Sequence, residues 1–104
     1  MALALAVVLV WPGWIPFPRP TTGTASWYVD GSGLYAAIRG FRGKPFYVIV
    51  RTATAKVRVL VRDGCGCLWG TPSARIIDLS PAAFSRLAPL GRGLVKVTVT
   101  KEEK

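Results

Sequence analysis

From residue 22 onward the chain consists of short segments that are rich in β-branched and aromatic residues and are interrupted by glycines. This pattern is typical of strands joined by turns. Within residues 56–62, Val57, Val59 and Val61 alternate with neighbours that are mostly basic. Successive side chains of a strand point to opposite faces, so this segment predicts a half-buried strand with one face in water. The sequence therefore predicts an all-β domain.

The same reasoning predicts six strands and one helix. The strands are expected at about residues 24–29, 34–38, 46–52, 56–62, 75–77 and 94–100, with residues 52–55 forming a hairpin connection. The helix should begin at Ser80 and Pro81, because serine can cap free amides and proline fits the first helical position. It should run to Leu87 or Ala88, and Phe84 and Leu87 on one of its faces should close one end of a barrel.

Size and charge limit the function classes. A chain of 104 residues has room for one core, and its 51% hydrophobic content argues against disorder. Fourteen Lys and Arg against five Asp and Glu give a net charge of +9, which attracts polyanions such as anionic wall polymers. The alternative is that the basic side chains only keep the sheet soluble. Nucleic acid is disfavoured as a partner, because scattered basic and aromatic residues form no known nucleic-acid module.

Residues 1–20 differ in composition from the expected domain at residues 21–104. An uninterrupted apolar run covers residues 2–11, about half the length that spans a bilayer, and four prolines follow it. The run is similar to the apolar part of a secretory signal but lacks a basic start and a small-residue cleavage site. The alternative is a buried first strand or helix. The proline- and tryptophan-rich tether suits a membrane interface or a groove on a partner, so membrane contact through residues 1–18 is expected of a secreted or envelope protein.

Few residues are available for chemistry. The chain has no histidine and five carboxylates, so a Ser or Cys nucleophile would have no histidine base, and no glycine-rich loop has phosphate-binding spacing. Cys65 and Cys67, the two cysteines, could close a tight disulfide ring or remain reduced. Two thiols cannot supply the four ligands of a structural zinc site. The sequence therefore predicts no metal and no cofactor.

Three sequence blocks occur in the order of a known family. Gly23-Thr-Ala-Ser-Trp-Tyr opens the domain, Val61-Arg-Asp-Gly-Cys-Gly-Cys follows the central hairpin, and Arg75-Ile-Ile-Asp-Leu-Ser-Pro-Ala-Ala-Phe leads into the helix. With these blocks the chain resembles the rare lipoprotein A and expansin barrels from about residue 23 to residue 100. The resemblance implies a small six-stranded double-psi β-barrel with one short helix, preceded here by the apolar segment, and a glycan-binding groove across the barrel.

The resemblance also implies roles for two acids. It makes Asp63 the acid of the site and Asp78 a structural acid at the strand-to-helix corner. The lytic enzymes of the rare lipoprotein A group carry a Glu and a His before the central hairpin, and residues 32–43 contain neither. The expected function is therefore binding of peptidoglycan or a related wall polysaccharide with weak or no lytic activity. A lytic transglycosylase using Asp63 alone stays an alternative, because one carboxyl can act as acid and then as base. Asp63 could also simply begin an Asp-Gly turn.

Aromatic and basic side chains complete the expected site. Trp69, Tyr28, Tyr35 and Arg75 are the candidate glycan-binding residues, since flat rings can stack on sugars. Trp69 should be exposed in a glycine-rich loop. Trp27 is expected in the core.

Two further expectations concern the Asp78 corner and the tether. Asp78 should accept hydrogen bonds from amides at the helix start or pair with an arginine. The apolar start and the tether also fit a function of another class. The protein would then be a structural or plug-like component of an envelope or virion assembly, with its own assembly partner.

Overall fold

The protein is described here by a computed structural model, which describes residue 17 and residues 19–29 and 31–102. The apolar run and most of the tether predicted in residues 1–20 lie outside the described residues. The strands are β1 (Thr21–Trp27), β2 (Tyr35–Arg39), β3 (Phe46–Arg51), β4 (Lys56–Cys65), β5 (Ile77–Leu79) and β6 (Val95–Lys101). Helix α1 (Pro81–Ser85) and a 3-10 turn (Leu90–Arg92) separate β5 from β6.

The six strands form one closed barrel in the order β1-β5-β2-β4-β3-β6, and β6 pairs with β1 to close it. The pairs β1/β5 and β2/β4 are parallel, and the other pairs are antiparallel. Closure removes the free edge strands that would otherwise pair with other chains. The expected six-stranded barrel with one short helix is confirmed.

The barrel interior is filled by the alternating side chains of the strands. Val57, Val59 and Val61 are at most 4% exposed, so the predicted half-buried strand is confirmed. Phe84 of α1 is fully buried and Leu87 packs against the same core, as expected for residues that close one end. Phe17, within the segment predicted as a tether, is also buried in this core, and its carbonyl accepts a hydrogen bond from the Lys101 amide.

Strand β4 is longer than predicted. It continues through Asp63 and Gly64 to Cys65, because this part pairs in parallel with residues 37–39 of β2. The interpretation of Asp63 as the first residue of a turn is therefore wrong, and the following loop begins at Gly66. The β5 strand lies two residues later than predicted, since its pairs with β1 and β2 begin at Ile77.

Helix α1 begins where predicted. The Ser80 hydroxyl accepts a hydrogen bond from the Ala83 amide at 3.3 Å, and Pro81 is the first helical residue. The helix ends at Ser85 rather than near Leu87. The amides of Arg86 and Leu87 bond to carbonyls three residues back, in a 3-10 pattern, and Pro89 has no amide hydrogen to donate to the Ser85 carbonyl. Among the described residues, no helix has the length and hydropathy needed to cross a membrane.

Candidate functional site

Two of the predicted acids lie on the outer face of the barrel, on either side of β2. Asp78 of β5 and Asp63 of β4 both pair with Ala37 in the strand register. Paired residues of neighbouring strands point to the same face, and strands are about 4.8 Å apart, so the two acids are about 10 Å apart. A register shift between Ala36 and Ala37 brings Asp63, and not Arg62, beside Ala37.

Each acid accepts a hydrogen bond from a residue in or next to β1. The Ser26 hydroxyl donates to Asp78 Oδ1 at 2.9 Å, and the Tyr28 phenol donates to Asp63 Oδ2 at 3.0 Å. Ser26 and Tyr28 are two residues apart on extended chain, so both side chains point to the same face. The Tyr28 side chain therefore reaches past β5 and β2 to β4, and the methyl group of Ala37 is small enough to leave room for it. One segment thus orients both carboxylates.

The environment of Asp78 favours its protonated form. Burial raises the pKa of the Asp78 carboxyl, while the hydrogen bond from Ser26 and the positive charge of Arg75 act in the opposite direction. A half-buried carboxyl with a raised pKa can donate a proton at a higher pH than an ordinary one. Of the two arrangements expected for Asp78, the helix-start amides are not its partners, because Ser80 caps the helix and the Ser26 hydroxyl donates to Asp78. The expected arginine is Arg75, which acts on Asp78 through its charge.

Trp69 lies at one end of this face. Arg39 is two residues after Ala37, hence on the same outer face and about 7 Å along β2. The Arg39 guanidinium carbon lies 4.4 Å from the centre of the Trp69 ring. Trp69 is 51% exposed, so one part of the indole packs on arginine while another faces solvent. Such a surface can stack on the apolar face of a sugar.

The loop that carries Trp69 is held in one conformation by several contacts. Cys65 and Cys67 form a disulfide at its start, and we call residues 65–75 the disulfide loop. Cys67 and Leu68 have φ values of 49° and 50°, which non-glycine residues rarely adopt. The Arg75 amide donates to the Cys67 carbonyl at 2.9 Å, and the Thr71 hydroxyl donates to the Leu68 carbonyl at 2.7 Å. Backbone in this region persists only where surrounding contacts hold it, and such segments cluster at functional sites.

Tyr35 lies at the other end of the face, two residues before Ala37. The Arg62 guanidinium carbon lies 3.4 Å from the centre of the Tyr35 ring, and Arg62 Nε lies 3.8 Å from Asp63 Oδ2. We call the outer face along Tyr35, Ala37 and Arg39 the β2 strip. It is about 14 Å long, with an aromatic ring at each end and a carboxylate on each side of its middle.

Two further residues singled out in the sequence, Arg75 and Trp27, lie beside the β2 strip or against the core. Arg75 lies beside the β2 strip, where its charge acts on Asp78, and its Nε is buried with no hydrogen-bond partner among the described residues. Trp27 packs against the core, as expected, and its indole N–H donates to the Leu90 carbonyl at 3.0 Å. Ser26 and Arg39 were missed from the sequence. Strand side chains two residues apart share a face, so steps of two residues back from Tyr28 and onward from Tyr35 would have found them.

A pocket of about 40 Å³ lies next to Trp69. Its lining comes from the loop, the strands and the described end of the tether: Phe17, Thr21, Ile38, Arg39, Trp69, Arg75 and Ile76. This space admits a few water molecules and no sugar ring. In the part of the chain that the structure describes, no three metal-binding side chains come together.

The closed six-stranded barrel, with its parallel pairs β1/β5 and β2/β4, is a double-psi β-barrel, as the sequence resemblance implied. The chain belongs to the lytic transglycolase family of double-psi barrel domains, whose model matches residues 21–99. No curated protein matches the chain at a significant level.

Solved structures of similar fold include a protease inhibitor and an expansin. The chain is 28% identical to a Streptomyces papain inhibitor, with 86% of this chain and 100% of the inhibitor covered and a TM-score of 0.67. It is 20% identical to a mutant expansin of Clavibacter michiganensis in complex with cellohexaose, covering 82% of this chain and 51% of that one with a TM-score of 0.68. The apo expansin gives 20% identity and a TM-score of 0.67. The chain thus spans about half the length of these expansins.

Proposed function

We propose that this domain binds a cell-wall polysaccharide along the β2 strip, with peptidoglycan as the first candidate, and that it cleaves the glycan weakly or not at all. The observation that carries the proposal is the pair of carboxylates on either side of Ala37, between Tyr35 and Trp69. Carboxylate oxygens accept hydrogen bonds from sugar hydroxyls, and aromatic rings bury the apolar faces of sugars.

Membership of the lytic transglycolase family supports a wall glycan as the ligand. The expansin of the same fold was solved in complex with cellohexaose, a linear glycan, which supports an extended ligand on the open face. The lack of both Glu and His in residues 32–43 supports weak or absent cleavage. The proposal places the domain in the envelope or outside the cell, where a disulfide such as Cys65–Cys67 persists.

The binding test is a pull-down with purified sacculi. We expect Trp69→Ala to weaken binding about tenfold, because a stacked aromatic contributes on the order of 1 kcal/mol beyond its buried area. Tyr47→Ala is the matched control, since Tyr47 is also an exposed ring with an arginine, Arg58, over it at 3.5 Å, but lies on β3. Equal losses in the two variants would contradict a site on the β2 strip.

Cleavage is measured separately in the same preparations. Sacculi incubated with the protein at pH values from about 4 to 8, where a carboxyl of raised pKa could titrate, should release little or no anhydromuropeptide. A clear product that disappears in Asp78→Asn or in Asp63→Asn would instead make the domain a lytic enzyme. The variant that abolishes the product would identify its acid, and the burial of Asp78 supports Asp78 in that role.

A second candidate function is inhibition of a papain-like cysteine protease. The Streptomyces papain inhibitor is covered over its whole length at 28% identity. The disulfide loop supports this candidate, because it presents Leu68 and Trp69, each about half exposed, on backbone that is already ordered. An ordered loop loses little conformational entropy when a protease cleft binds it.

This candidate predicts that the protein inhibits papain in a peptide-hydrolysis assay. Leu68→Ala and Trp69→Ala should each raise the inhibition constant several-fold, as expected for interface residues of this size. Leu94→Ala removes a leucine that is 43% exposed outside the disulfide loop, so its inhibition constant should be unchanged. Full papain activity at a large excess of the wild-type protein would dismiss the candidate.

A further inference from the structure

A second face of the barrel carries three cations that have no acidic partner among the described residues. Arg51 of β3, Lys56 of β4 and Lys96 of β6 are exposed, and the adjacent valines 50, 57 and 97 are buried, so the three cations point outward. The ion pairs between described residues involve other cations, Arg58 with Glu102 and Arg62 with Asp63. We call Arg51, Lys56 and Lys96 the cationic face.

The three cations form a line across three strands. Arg51 and Lys56 are direct partners in the β3/β4 register, where side chains lie about 5 Å apart. Arg51 also pairs with Thr98, and Lys96 is two residues before Thr98 on the same face, about 7–8 Å from Arg51. Like charges directly opposite one another destabilise a sheet. An oxyanion between them would remove that repulsion.

The hairpin provides room for such a group. An open pocket of about 310 Å³ lies between Arg51 and Lys56, with Thr52, Thr54 and Ala55 at its rim. Arg58, two residues from Lys56 on the same face, already has internal partners. It donates two hydrogen bonds to Glu102, at 2.7 and 2.9 Å, and packs on Tyr47. Arg51 and Lys56 are thus the cations of this hairpin that can bind an external anion.

The neighbours of the cations indicate the type of ligand. Besides the cations, β1 and β6 present four outward threonines, 22, 24, 98 and 100, and the hydroxyls of Thr22 and Thr98 lie 3.0 Å apart. Tyr47 is the one exposed ring among the described residues of β3, β4 and β6, and Arg58 covers it. Single-stranded nucleic acid binds by stacking bases on aromatic rings, so this surface suits a hydroxylated polyanion better.

We propose that Arg51, Lys56 and Lys96 bind an acidic polysaccharide, a linear sugar polymer whose repeating charges are carboxylates. The face lies on the wall opposite the β2 strip, because β6 is three strands from β2 in either direction around the barrel. Guanidinium and ammonium groups pair with carboxylates, and the threonine hydroxyls can bond to sugar hydroxyls. This second site does not depend on the proposed function of the β2 strip.

The test is the affinity of the full chain for polygalacturonate at low salt. We expect the double variant Arg51→Gln/Lys56→Gln to bind about tenfold more weakly or worse, and Lys96→Gln to bind a few-fold more weakly. The matched control is Arg86→Gln/Arg92→Gln, which removes the same charge from exposed residues elsewhere and should lower the affinity less than threefold. Sacculus binding by the Arg51→Gln/Lys56→Gln variant is measured separately, so that failure of the β2 strip and failure of the cationic face are distinguishable.

Salt and a competing polymer complete the test. The dependence of log affinity on log salt should be shallower in the Arg51→Gln/Lys56→Gln variant than in the control, because two ionic contacts are lost. Equal losses in the two double variants would show general attraction by net charge and would overturn the proposal. Tighter binding of mixed-sequence single-stranded DNA than of polygalacturonate, at matched charge, would overturn the assigned ligand class.

Discussion

Ser26 and Tyr28 show how single residues orient acids that are distant in the sequence. Ser26 is 52 residues from Asp78, and Tyr28 is 35 residues from Asp63, yet each donates a hydrogen bond to its acid. Asp78 is also half-buried, and burial raises its pKa by more than the hydrogen bond from Ser26 lowers it. The protonation state of this carboxyl is therefore a property of its surroundings.

The stability of the domain should depend on pH through Asp78. Because the pKa of Asp78 is raised above 3.8, the folded state binds the proton more tightly than the unfolded chain. The contribution of Asp78 to stability is present below 3.8 and is lost as pH rises through the raised pKa. Asp78→Asn, which keeps an oxygen for Ser26, should therefore show a smaller decline in unfolding free energy between about pH 4 and 7 than the wild type.

The measurement is urea unfolding at a series of pH values. Ser26→Ala is the opposing control, because it removes a hydrogen bond that lowers the pKa of Asp78 and should make the decline steeper. Curves that are parallel for the wild type and Asp78→Asn would show that burial does not control this carboxyl.

At the scale of elements, the disulfide loop and β2 together produce one end of the β2 strip. Cys65 is the last residue of β4 and pairs with Arg39, so the loop leaves the barrel beside the arginine on which Trp69 packs. The disulfide and the hydrogen bond from the Arg75 amide hold Cys67 in left-handed backbone. The position of Trp69 therefore depends on this short ring.

We predict that Cys65→Ser/Cys67→Ser weakens sacculus binding about as much as Trp69→Ala while the domain stays folded. A ring of three residues constrains the unfolded chain by only about 1.5 kcal/mol. Thermal melts and pull-downs of the wild type, the double variant and the triple variant with Trp69→Ala check this. The triple variant should bind no more weakly than Trp69→Ala alone. Unchanged binding by the double variant would mean that hydrogen bonds alone hold the loop.

At the scale of the whole molecule, barrel closure separates the two proposed binding surfaces. The β2 strip uses β1, β5, β2 and the end of β4, whereas the cationic face uses the start of β4, β3 and β6. A closed barrel with a shared valine-rich core cannot easily bend one wall relative to the other, since its interior is close-packed. Under the two proposals, one domain can therefore contact two polysaccharide chains at the same time.

Much of the fold could be predicted because its signals are local. The alternation of Val57, Val59 and Val61 indicates a strand whatever its partners are, and Ser80-Pro81 indicates a helix start through its own cap. The family resemblance rests on contiguous blocks and was confirmed for the same reason. The ends of β4 and β5 could not be predicted, because their partner strands determine them. The end of α1 had a local signal, Pro89, which the prediction did not use.

The sequence by itself determined the all-β class, the six strands and the candidate residues Asp63, Asp78 and Trp69. Only the tertiary structure decided how these residues are arranged. Asp63 comes opposite Asp78 because β2 pairs with both β4 and β5, with a register shift at Ala36 and Ala37. Pairing between distant strands depends on the closure of the whole barrel and leaves no periodic signal in any one segment. The burial that raises the pKa of Asp78 also comes from neighbours that lie far away in the chain, so no single segment predicts it.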